Sequence, residues 1–209
     1  MPIVIRSLRF TTTLLAVIFL AGCAFGTRNA TLIYPPKAES GVIPAAQAAT
    51  RPAAKNVQIV LGTFSDQRTD KKVVGTMRNG FGMRTADVVA MNSVPDWMAQ
   101  AMKVELENSD YSVVTAGGDD SAAGASAVVS GEILNVFCDM YLSYTGQVSL
   151  VAKASKGGKE VLNKHYSGEG SAGLAVAGTA ESFAQSLSLA LAVAVKQFVS
   201  ELDKSLTGP

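Results

Sequence analysis

Three side chains of this sequence have the types that hydrolytic chemistry uses: Asp66, Asp70 and His165, the only histidine. Carboxylates and an imidazole can activate water only when they lie within hydrogen-bond reach of the reacting atoms. The two carboxylates follow the first predicted strand, whereas His165 lies far along the chain, near the end of a polar strand. Because these residues are scattered, a hydrolase is less favoured than the two non-catalytic functions described at the end of this section. We expect His165 to be a surface or structural residue.

A second chemical pattern is Gly168-Glu169-Gly170-Ser171-Ala172-Gly173, which matches the G-x-G-x-x-G spacing of dinucleotide-binding loops. That spacing binds a pyrophosphate only inside a strand–helix–strand unit with an acidic residue on the second strand. Here one predicted helix follows, with no returning strand. We therefore expect no nucleotide and no other cofactor, and we find no catalytic group or cluster of residues with metal-ligand spacing in the sequence.

A third pattern is a local excess of positive charge between residues 66 and 84, where five basic residues accompany two acids. Guanidinium groups suit carboxylate or phosphate partners. We therefore predict that this segment is a partner-binding surface. The alternative is a solvated charged loop that only keeps the protein soluble. The five candidate binding residues are Arg68, Lys71, Lys72, Arg78 and Arg84.

Cys23 is the remaining residue with evident chemistry, and it ends a leader sequence. Arg6 and Arg9 precede the apolar run Leu14–Leu20, after which two small residues and Cys23 follow. Positive residues, an apolar core of about 7 to 15 residues and small residues before a cut are typical of a secretory signal peptide. The run is shorter than the roughly 20 apolar residues of a membrane span. We predict that residues 1–22 are a lipoprotein signal peptide.

Leu20-Ala21-Gly22-Cys23 resembles the lipobox of bacterial lipoproteins, in which the cysteine sulfur is diacylated and the peptide is cut just before it. The resemblance implies that Cys23 becomes the lipidated first residue of the mature chain. Ala24 stands where inner-membrane lipoproteins of the Gram-negative type carry Asp, which implies an outer-membrane anchor facing the periplasm. An ordinary secretory leader with an incidental cysteine is the alternative.

Length and charge exclude several classes of protein. Without residues 1–22 the chain keeps 187 residues, of which 16 are basic and 17 acidic. This length fits one domain plus a tether. A general nucleic-acid binder would show a clear basic excess, so nucleic acid is not an expected partner. Once Cys23 carries lipid, Cys138 is the only thiol left, and we predict it to be a buried apolar residue in a strand, without a redox role.

The rest of the chain predicts one folded domain behind a linker. Residues 23–56 hold the lipidated cysteine and a Pro/Ala-rich tether, with packing of Leu32–Tyr34 on the domain as an alternative. Residues 57–209 form the periplasmic domain. We predict an α+β fold, a single domain with a largely antiparallel sheet and two helices packed on one face.

Local signals place the elements of this domain. A strand at 57–61 precedes a projecting hairpin turned by Asn79-Gly80, and Ser93 caps a helix that ends near Asn108. Four strands follow, the last two joined by Gly157-Gly158 in a tight hairpin. A helix from about residue 179 to 206 is apolar nearly all round in its middle, as expected of a buried helix or of one that contacts a partner.

Several segments together resemble the YajG family of bacterial lipoproteins. These are Gly62 with Asp66–Asp70, the helix-to-strand passage from Met102 to Val113, and the run from Gly157 to Tyr166 before a Gly-rich step and an Ala-rich helix. Asp110 departs from the family, which usually has Gly before the aromatic residue. The family has no established catalytic activity, so the resemblance implies a location and a fold rather than a reaction.

We therefore expect a non-catalytic outer-membrane lipoprotein whose periplasmic domain binds or scaffolds an envelope component, either a protein or an anionic polymer. The lipid anchor, the tether and the basic segment motivate this expectation. The alternative is an accessory subunit of an envelope secretion or transport assembly, which the apolar terminal helix would serve. The sequence predicts no oligomeric state.

The leader generates the first testable prediction. Cys23→Ser is expected to leave an uncut precursor or a soluble protein, because stable anchoring needs two acyl chains at about 0.8 kcal/mol per buried methylene. Mass spectrometry of the amino-terminal peptide from membrane-purified protein should show a diacylglycerol increment on Cys23. An amino-terminal peptide without that increment contradicts the prediction.

Overall fold

The structure is a computed structural model that describes residues 26–36, 57–116, 127–175 and 179–207. Cys23 and the leader lie outside these ranges. Within them the chain forms eight strands and two helices. In chain order these are β1 (Gly26–Ala30), β2 (Gln58–Asp66), β3 (Val73–Arg78), β4 (Arg84–Ala90), α1 (Val94–Asn108), β5 (Ser112–Thr115), β6 (Ala127–Met140), β7 (Ser143–Lys156), β8 (Lys159–Leu174) and α2 (Ala180–Thr207).

The eight strands form one mixed sheet around the long strand β6. On one side β7 and then β8 continue the sheet as antiparallel neighbours. On the other side β6 pairs in parallel with β2 along residues 127–133 and with β3 along 138–140. Strand β5 extends the β2 branch, and β4 and β1 extend the β3 branch. The prediction of a largely antiparallel sheet is therefore wrong, although the structure is consistent with the α+β class.

The error has a physical origin in the connections. The pairs β1–β4, β2–β5, β2–β6 and β3–β6 are all parallel. Parallel neighbours need crossover connections of a dozen or more residues, and no local turn signal marks such a pairing. The β7–β8 hairpin, by contrast, has a local signal in its Gly157-Gly158 pair. In the structure these residues adopt φ angles of +57° and +77°, which glycine tolerates without strain.

Helix α1 begins and ends where the sequence predicts. The Ser93 hydroxyl accepts a hydrogen bond from the Asp96 amide at 3.2 Å, with a proline in the first turn. After the helix, Asp110 adopts a φ of +66°. This left-handed conformation is the reason that glycine would suit the position. Trp97, Met98 and Met102 are buried in the core, as their helical spacing indicates.

Helix α2 lies very close to β7 and β8 because glycines occupy the contact positions. A Cβ added to Gly146 would lie 2.6 Å from the carbonyl oxygen of Ser186, and one added to Gly168 or Gly170 would come closer still to the α2 backbone. Glycine in a strand permits such an approach. All three glycines of the G-x-G-x-x-G pattern thus lie in β8, and two of them, Gly168 and Gly170, accommodate the helix.

The length and composition of α2 would allow it to cross a membrane, but 67% of its apolar stretch is buried inside the fold. Phe183, Leu187, Leu191 and Phe198 are all fully buried. We therefore assign α2 as the core helix of the domain.

One face of the sheet is covered and the other is open. Buried side chains alternate along β7, where Tyr144, Val148 and Leu150 point toward the helices. Thr145 and Gln147, between them, are exposed on the opposite face. Within the described residues no helix covers that opposite face, which we call the open face.

Cys138 lies on the covered side of β6 and is fully buried. Its Sγ is 3.1 Å from the hydroxyl oxygen of Ser186. Burial raises the pKa of the Cys138 thiol to about 12, so the thiol stays protonated at neutral pH. The predicted burial of Cys138 in a strand is confirmed.

Residues 26–36, which the sequence assigns to the tether, are folded against the domain. Strand β1 pairs with β4 from Gly26–Ala86 to Ala30–Ala90. The Leu32 amide donates to the Asn92 side chain at 2.8 Å, and that side chain donates back to the Leu32 carbonyl at 3.0 Å.

Ile33 and Tyr34 contact both helices. The Ile33 carbonyl oxygen accepts a hydrogen bond from the Trp97 indole at 2.7 Å and another from the Ser188 hydroxyl. The Tyr34 hydroxyl donates to the buried Glu105 carboxylate at 2.5 Å. Packing around Leu32–Tyr34, the alternative to a tether, is thus what the structure shows, and residues 37–56 lie outside the described ranges.

The glycine contact generates a stability prediction. Gly168→Ala should lower the free energy of unfolding by roughly 1–3 kcal/mol or more, because overpacking displaces a backbone rather than a flexible side chain. Ser167→Ala, at the adjacent exposed position, is the matched control and should change stability by less than about 0.5 kcal/mol. Thermal unfolding followed by circular dichroism measures both, and equal melting temperatures would show that α2 is not in close contact with β8.

Candidate functional site

The structure separates the five predicted binding residues into three settings. Arg68 is buried in the loop between β2 and β3, which we call the 67–72 loop. Arg78 and Arg84, at the ends of β3 and β4, form ion pairs with neighbouring carboxylates. Lys71 and Lys72 are exposed in the 67–72 loop. The five residues therefore do not form one continuous positive surface.

Arg68 holds the 67–72 loop together. Its guanidinium lies 2.8 Å from the Asp66 carboxylate, and their side chains are 5% and 8% exposed. The same guanidinium donates to the carbonyl oxygens of Lys71 at 2.8 Å and Val73 at 3.2 Å. These bonds join the loop to itself and to the adjoining ends of β2 and β3, and the side chain is 5% exposed, so Arg68 is a structural residue that offers little charge to a partner. We therefore leave Arg68 out of the binding surface proposed below.

The carboxylates of Asp66, at the end of β2, and of Asp70, in the loop, both accept hydrogen bonds from nearby groups. Burial alone would raise the pKa of Asp66, but the hydrogen bonds and positive charge of Arg68 hold it below its ordinary value. Asp70 accepts hydrogen bonds from the amides of Val73 and Lys72, and these lower its pKa. Both carboxylates shape the loop.

The structure does not bring the predicted hydrolytic residues together. His165 pairs with Val151, Val151 with Glu132, and Glu132 with Ser65, in a row across four strands. Neighbouring strands are about 4.8 Å apart, so His165 lies about 14 Å from Ser65, beside Asp66. Direct acid–base cooperation between His165 and Asp66 needs a much shorter distance.

A groove lies where the 67–72 loop separates β2 from β3. Both strands follow the same edge of β6, and β6 residues 134–137 lie opposite the interruption. The groove has a volume of about 400 Å³, in the range of small-molecule sites of roughly 300–1,000 Å³. Its lining combines charged and apolar groups: Arg68, Asp70, Arg84, Leu134 and Phe137, with intervening backbone.

A second groove of about 540 Å³ adjoins the first along β6, since Phe137 lines both. It continues past Asp139, Thr145 and Gln147 on the open face to the β6–β7 turn at Tyr141. The two grooves together form an amphipathic surface along the outer side of β6. A ligand with both anionic and apolar parts fits this lining better than an apolar ligand would.

The exposed cations lie close to this surface. Lys71 and Lys72 directly follow Asp70, a residue of the first groove, and none of the ion pairs among the described residues includes them. Arg84, 58% exposed, contacts Asp87 with its Nε at 2.7 Å from the carboxylate. Lys71, Lys72 and Arg84 are thus the predicted binding residues best placed to meet a ligand in the first groove.

Arg78 is linked to the second groove through one of its lining residues. Its Nε lies 2.9 Å from the carboxylate of Asp139, a residue of that groove, and its guanidinium also donates to the Gly82 carbonyl. Both charged side chains are about two-fifths exposed, at 38% and 41%. Arg78 therefore positions the β3–β4 loop and contributes less free positive charge than its sequence suggests.

Sequence reasoning missed the groove residues of β6. Leu134 takes the outward position after buried Ile133 and is exposed. A β-bulge between Ile133 and Asn135 then shifts the register and breaks the alternation of the strand. The signal was present, because Ile133-Leu134 places two large apolar residues side by side before a polar one. Such a break in a period of two indicates a bulge.

Comparisons with solved structures identify the fold. Protein XCC0632 from Xanthomonas campestris, described as a DUF330 family protein, matches with a TM-score of 0.53 and 10% identity, covering 86% of this chain and 94% of its own. An uncharacterized protein matches with a TM-score of 0.51 and 7% identity, covering 86% and 99%. At these identities the likeness shows a shared fold alone. No protein-family model and no curated protein matches the chain.

A more distant likeness is to lipoprotein GNA1162 from Neisseria meningitidis. It has a TM-score of 0.36 and 15% identity, and covers 55% of this chain and 83% of that one. This score is too low to support an inference about this chain. The YajG family is not named among these structures, so that resemblance remains one of sequence pattern.

The buried ion pair generates a stability prediction. Arg68→Gln should lower the free energy of unfolding by about 3 kcal/mol, because it leaves the Asp66 charge buried without its partner. Lys71→Gln, which removes an exposed charge from the same loop, should change it by less than about 0.5 kcal/mol. Urea unfolding at neutral pH measures both variants.

The same variants test the pH dependence. Since folding lowers the pKa of Asp66, its stabilising contribution is complete above about pH 4, the ordinary aspartate pKa. It is lost as the pH falls through the lowered value of the folded state. This acid-sensitive part of the stability should be absent from Arg68→Gln and present in Lys71→Gln. Identical pH profiles for the two variants would contradict the role of the pair.

Proposed function

We propose that this protein is a non-catalytic outer-membrane lipoprotein, anchored through Cys23, whose periplasmic domain binds an anionic envelope component. The observation that carries the proposal is the pair of exposed lysines, Lys71 and Lys72, beside a groove that also presents Arg84 and Phe137. The partner is a protein segment or polymer with carboxylate or phosphate groups and some apolar surface.

The rigidity of the loop supports this proposal. Arg68 and Asp70 bond to backbone groups of the 67–72 loop and of Val73 at the start of β3, so the two lysines are presented on a fixed backbone. A fixed loop loses little conformational entropy when a ligand binds, and more of the contact energy remains as affinity. A merely solubilising charged loop needs no such internal bonding.

The electrostatic setting also supports a local binding surface. The mature chain is close to neutral overall, with 16 basic and 17 acidic side chains. Attraction of an anion therefore depends on local charge, and exposed lysines act over about 8–10 Å at physiological salt. Binding through them is expected to weaken as salt is raised.

The accessory-subunit alternative depended on the apolar surface of the terminal helix. In the structure α2 is mostly buried within the domain, and Val193 is the large apolar residue that its described part leaves 42% exposed. The apolar character of α2 is thus explained by the core. No observation on α2 favours an assembly role over the binding role of the 67–72 loop.

The proposal predicts a loss of partner capture without a loss of folding. In the full-length protein, a photo-crosslinking amino acid at exposed Thr69 should capture the partner in the intact envelope. Lys71→Gln combined with Lys72→Gln should reduce the product by roughly 2- to 30-fold, since exposed ion pairs contribute about 0.2–1 kcal/mol each. Gel mobility and mass spectrometry measure and identify the product.

The matched control is Lys159→Gln combined with Lys196→Gln, which removes two exposed lysines elsewhere in the domain. It should leave both the melting temperature and the crosslinks unchanged. Undiminished crosslinks in a folded Lys71/Lys72 double variant would show that the anion-binding surface lies elsewhere.

A further inference from the structure

One end of the sheet carries an exposed apolar cluster beyond the first groove, where the proposed anion site lies. Two of its members, Tyr141 and Leu142, also line the second groove. Its members come from the β3–β4 loop, the β6–β7 turn and the end of β8. We call them the apolar tip: Phe81 (89% exposed), Met83 (59%), Tyr141 (42%), Leu142 (68%) and Leu174 (78%). Exposed apolar groups collected in one place indicate an interaction surface, whereas single ones do not.

The register places these three segments side by side. Met77 of β3 pairs with Met140 of β6, so the loop after β3 and the turn after β6 leave the sheet at the same end. Ser143 pairs with Leu174, which brings the end of β8 to the same level. The Tyr141 hydroxyl donates to the Gly80 carbonyl at 3.4 Å, linking the loop to the turn.

The fold holds the tip in an outward-facing shape. The Asn79 side chain accepts hydrogen bonds from the amides of Phe81 and Met83, each at 3.0 Å. The Asn79 amide donates to the Met83 carbonyl at 2.9 Å, which closes the loop. The backbone is thus satisfied internally while the apolar side chains point away from the domain.

The amino-terminal strand reaches the same end of the molecule. Strand β1 is parallel to β4, and Gly26 pairs with Ala86, two residues from the start of β4 at Arg84. Two strand residues span about 7 Å. Gly26 follows Cys23 by three residues, which extend to at most about 11 Å. The chain is therefore long enough for Cys23 to lie level with the apolar tip, and too short to place it at the far end of the domain.

We propose that the apolar tip enters the interfacial region of the membrane beside the acyl chains on Cys23. The inference rests on the proposed lipid anchor, because that anchor fixes which end of the domain meets the bilayer. Aromatic and aliphatic side chains favour the boundary between headgroups and acyl chains. Two acyl chains already hold the domain at the bilayer, so the tip sets its orientation rather than its attachment.

A lipid surface explains the tip better than a protein groove does. The five side chains come from three separate segments and are individually exposed, as expected of residues that enter a fluid layer. The short Cys23–Gly26 connection also keeps this end close to the headgroups at all times. A second copy of the chain and another protein are outcomes that the experiment separates.

The test introduces a tryptophan at the tip of the full-length acylated protein. Phe81→Trp places the reporter at the most exposed tip position, and the single native tryptophan, Trp97, is 1% exposed. The variant is reconstituted into vesicles of phosphatidylethanolamine and phosphatidylglycerol with brominated acyl chains. Quenching of the introduced tryptophan by about twofold or more, relative to unbrominated vesicles, is expected for insertion at the acyl boundary.

Val128→Trp is the matched control. Val128 is 41% exposed near the start of β6, about 40 Å from Met140 at the spacing of extended strands. It should show no quenching. Quenching of Phe81→Trp alone supports the inference.

Three other outcomes overturn it. If brominated lipid quenches neither variant, or both equally, in a protein that carries the diacylglycerol mass, the tip does not enter the membrane, while the anchor stands. A concentration-dependent blue shift of Phe81→Trp in lipid-free detergent, without quenching in vesicles, assigns the tip to a second copy. Absence of the lipid mass overturns the anchor, and the membrane orientation fails with it.

Discussion

The carbonyl oxygen of Ile33 is the point on which the arrangement of the domain depends. It accepts hydrogen bonds from Trp97 of α1 and Ser188 of α2, so one backbone group joins the amino-terminal segment to both helices. The neighbouring Tyr34–Glu105 bond is buried in the same place. Buried polar groups are costly to leave unpaired, and these contacts therefore fix β1 at the edge of the sheet. A segment that reads as a linker is in this way part of the core.

The gap between β2 and β3 along the edge of β6 creates the first groove. A continuous strand along β6 would cover residues 134–137, but the 67–72 loop leaves the edge there and exposes a groove. The Arg68–Asp66 pair keeps the loop in that shape from within. Burial of one cation thus positions two others, Lys71 and Lys72, beside the groove. The charge cluster seen in the sequence combines a structural residue with binding candidates.

Local signals in the sequence were sufficient for most elements but not for their assembly. Ser93, Gly157 and Gly158 mark a helix start and a hairpin turn through bonds and angles that involve only near neighbours. The parallel partners of β6 come from distant segments, and the packing of Gly168 against Ala190 joins a strand to a later helix. The exposure of Lys71 and the burial of Arg68 differ for the same reason, since tertiary contacts decide them. Composition could not separate these two neighbouring cations.

Under the proposed lipid anchor at Cys23, the short connection between Cys23 and Gly26 limits how the domain can meet a partner. A long flexible linker would let the domain tumble and sample a hemisphere of positions above its anchor. With three residues, rotation about the membrane normal remains largely free, whereas tilting is restricted. The search for a partner is then lateral diffusion in a plane, with the 67–72 loop about 20 Å from the tip, the span of six residues of β3. The same proposal favours partners that present their anionic groups at about this height above the membrane.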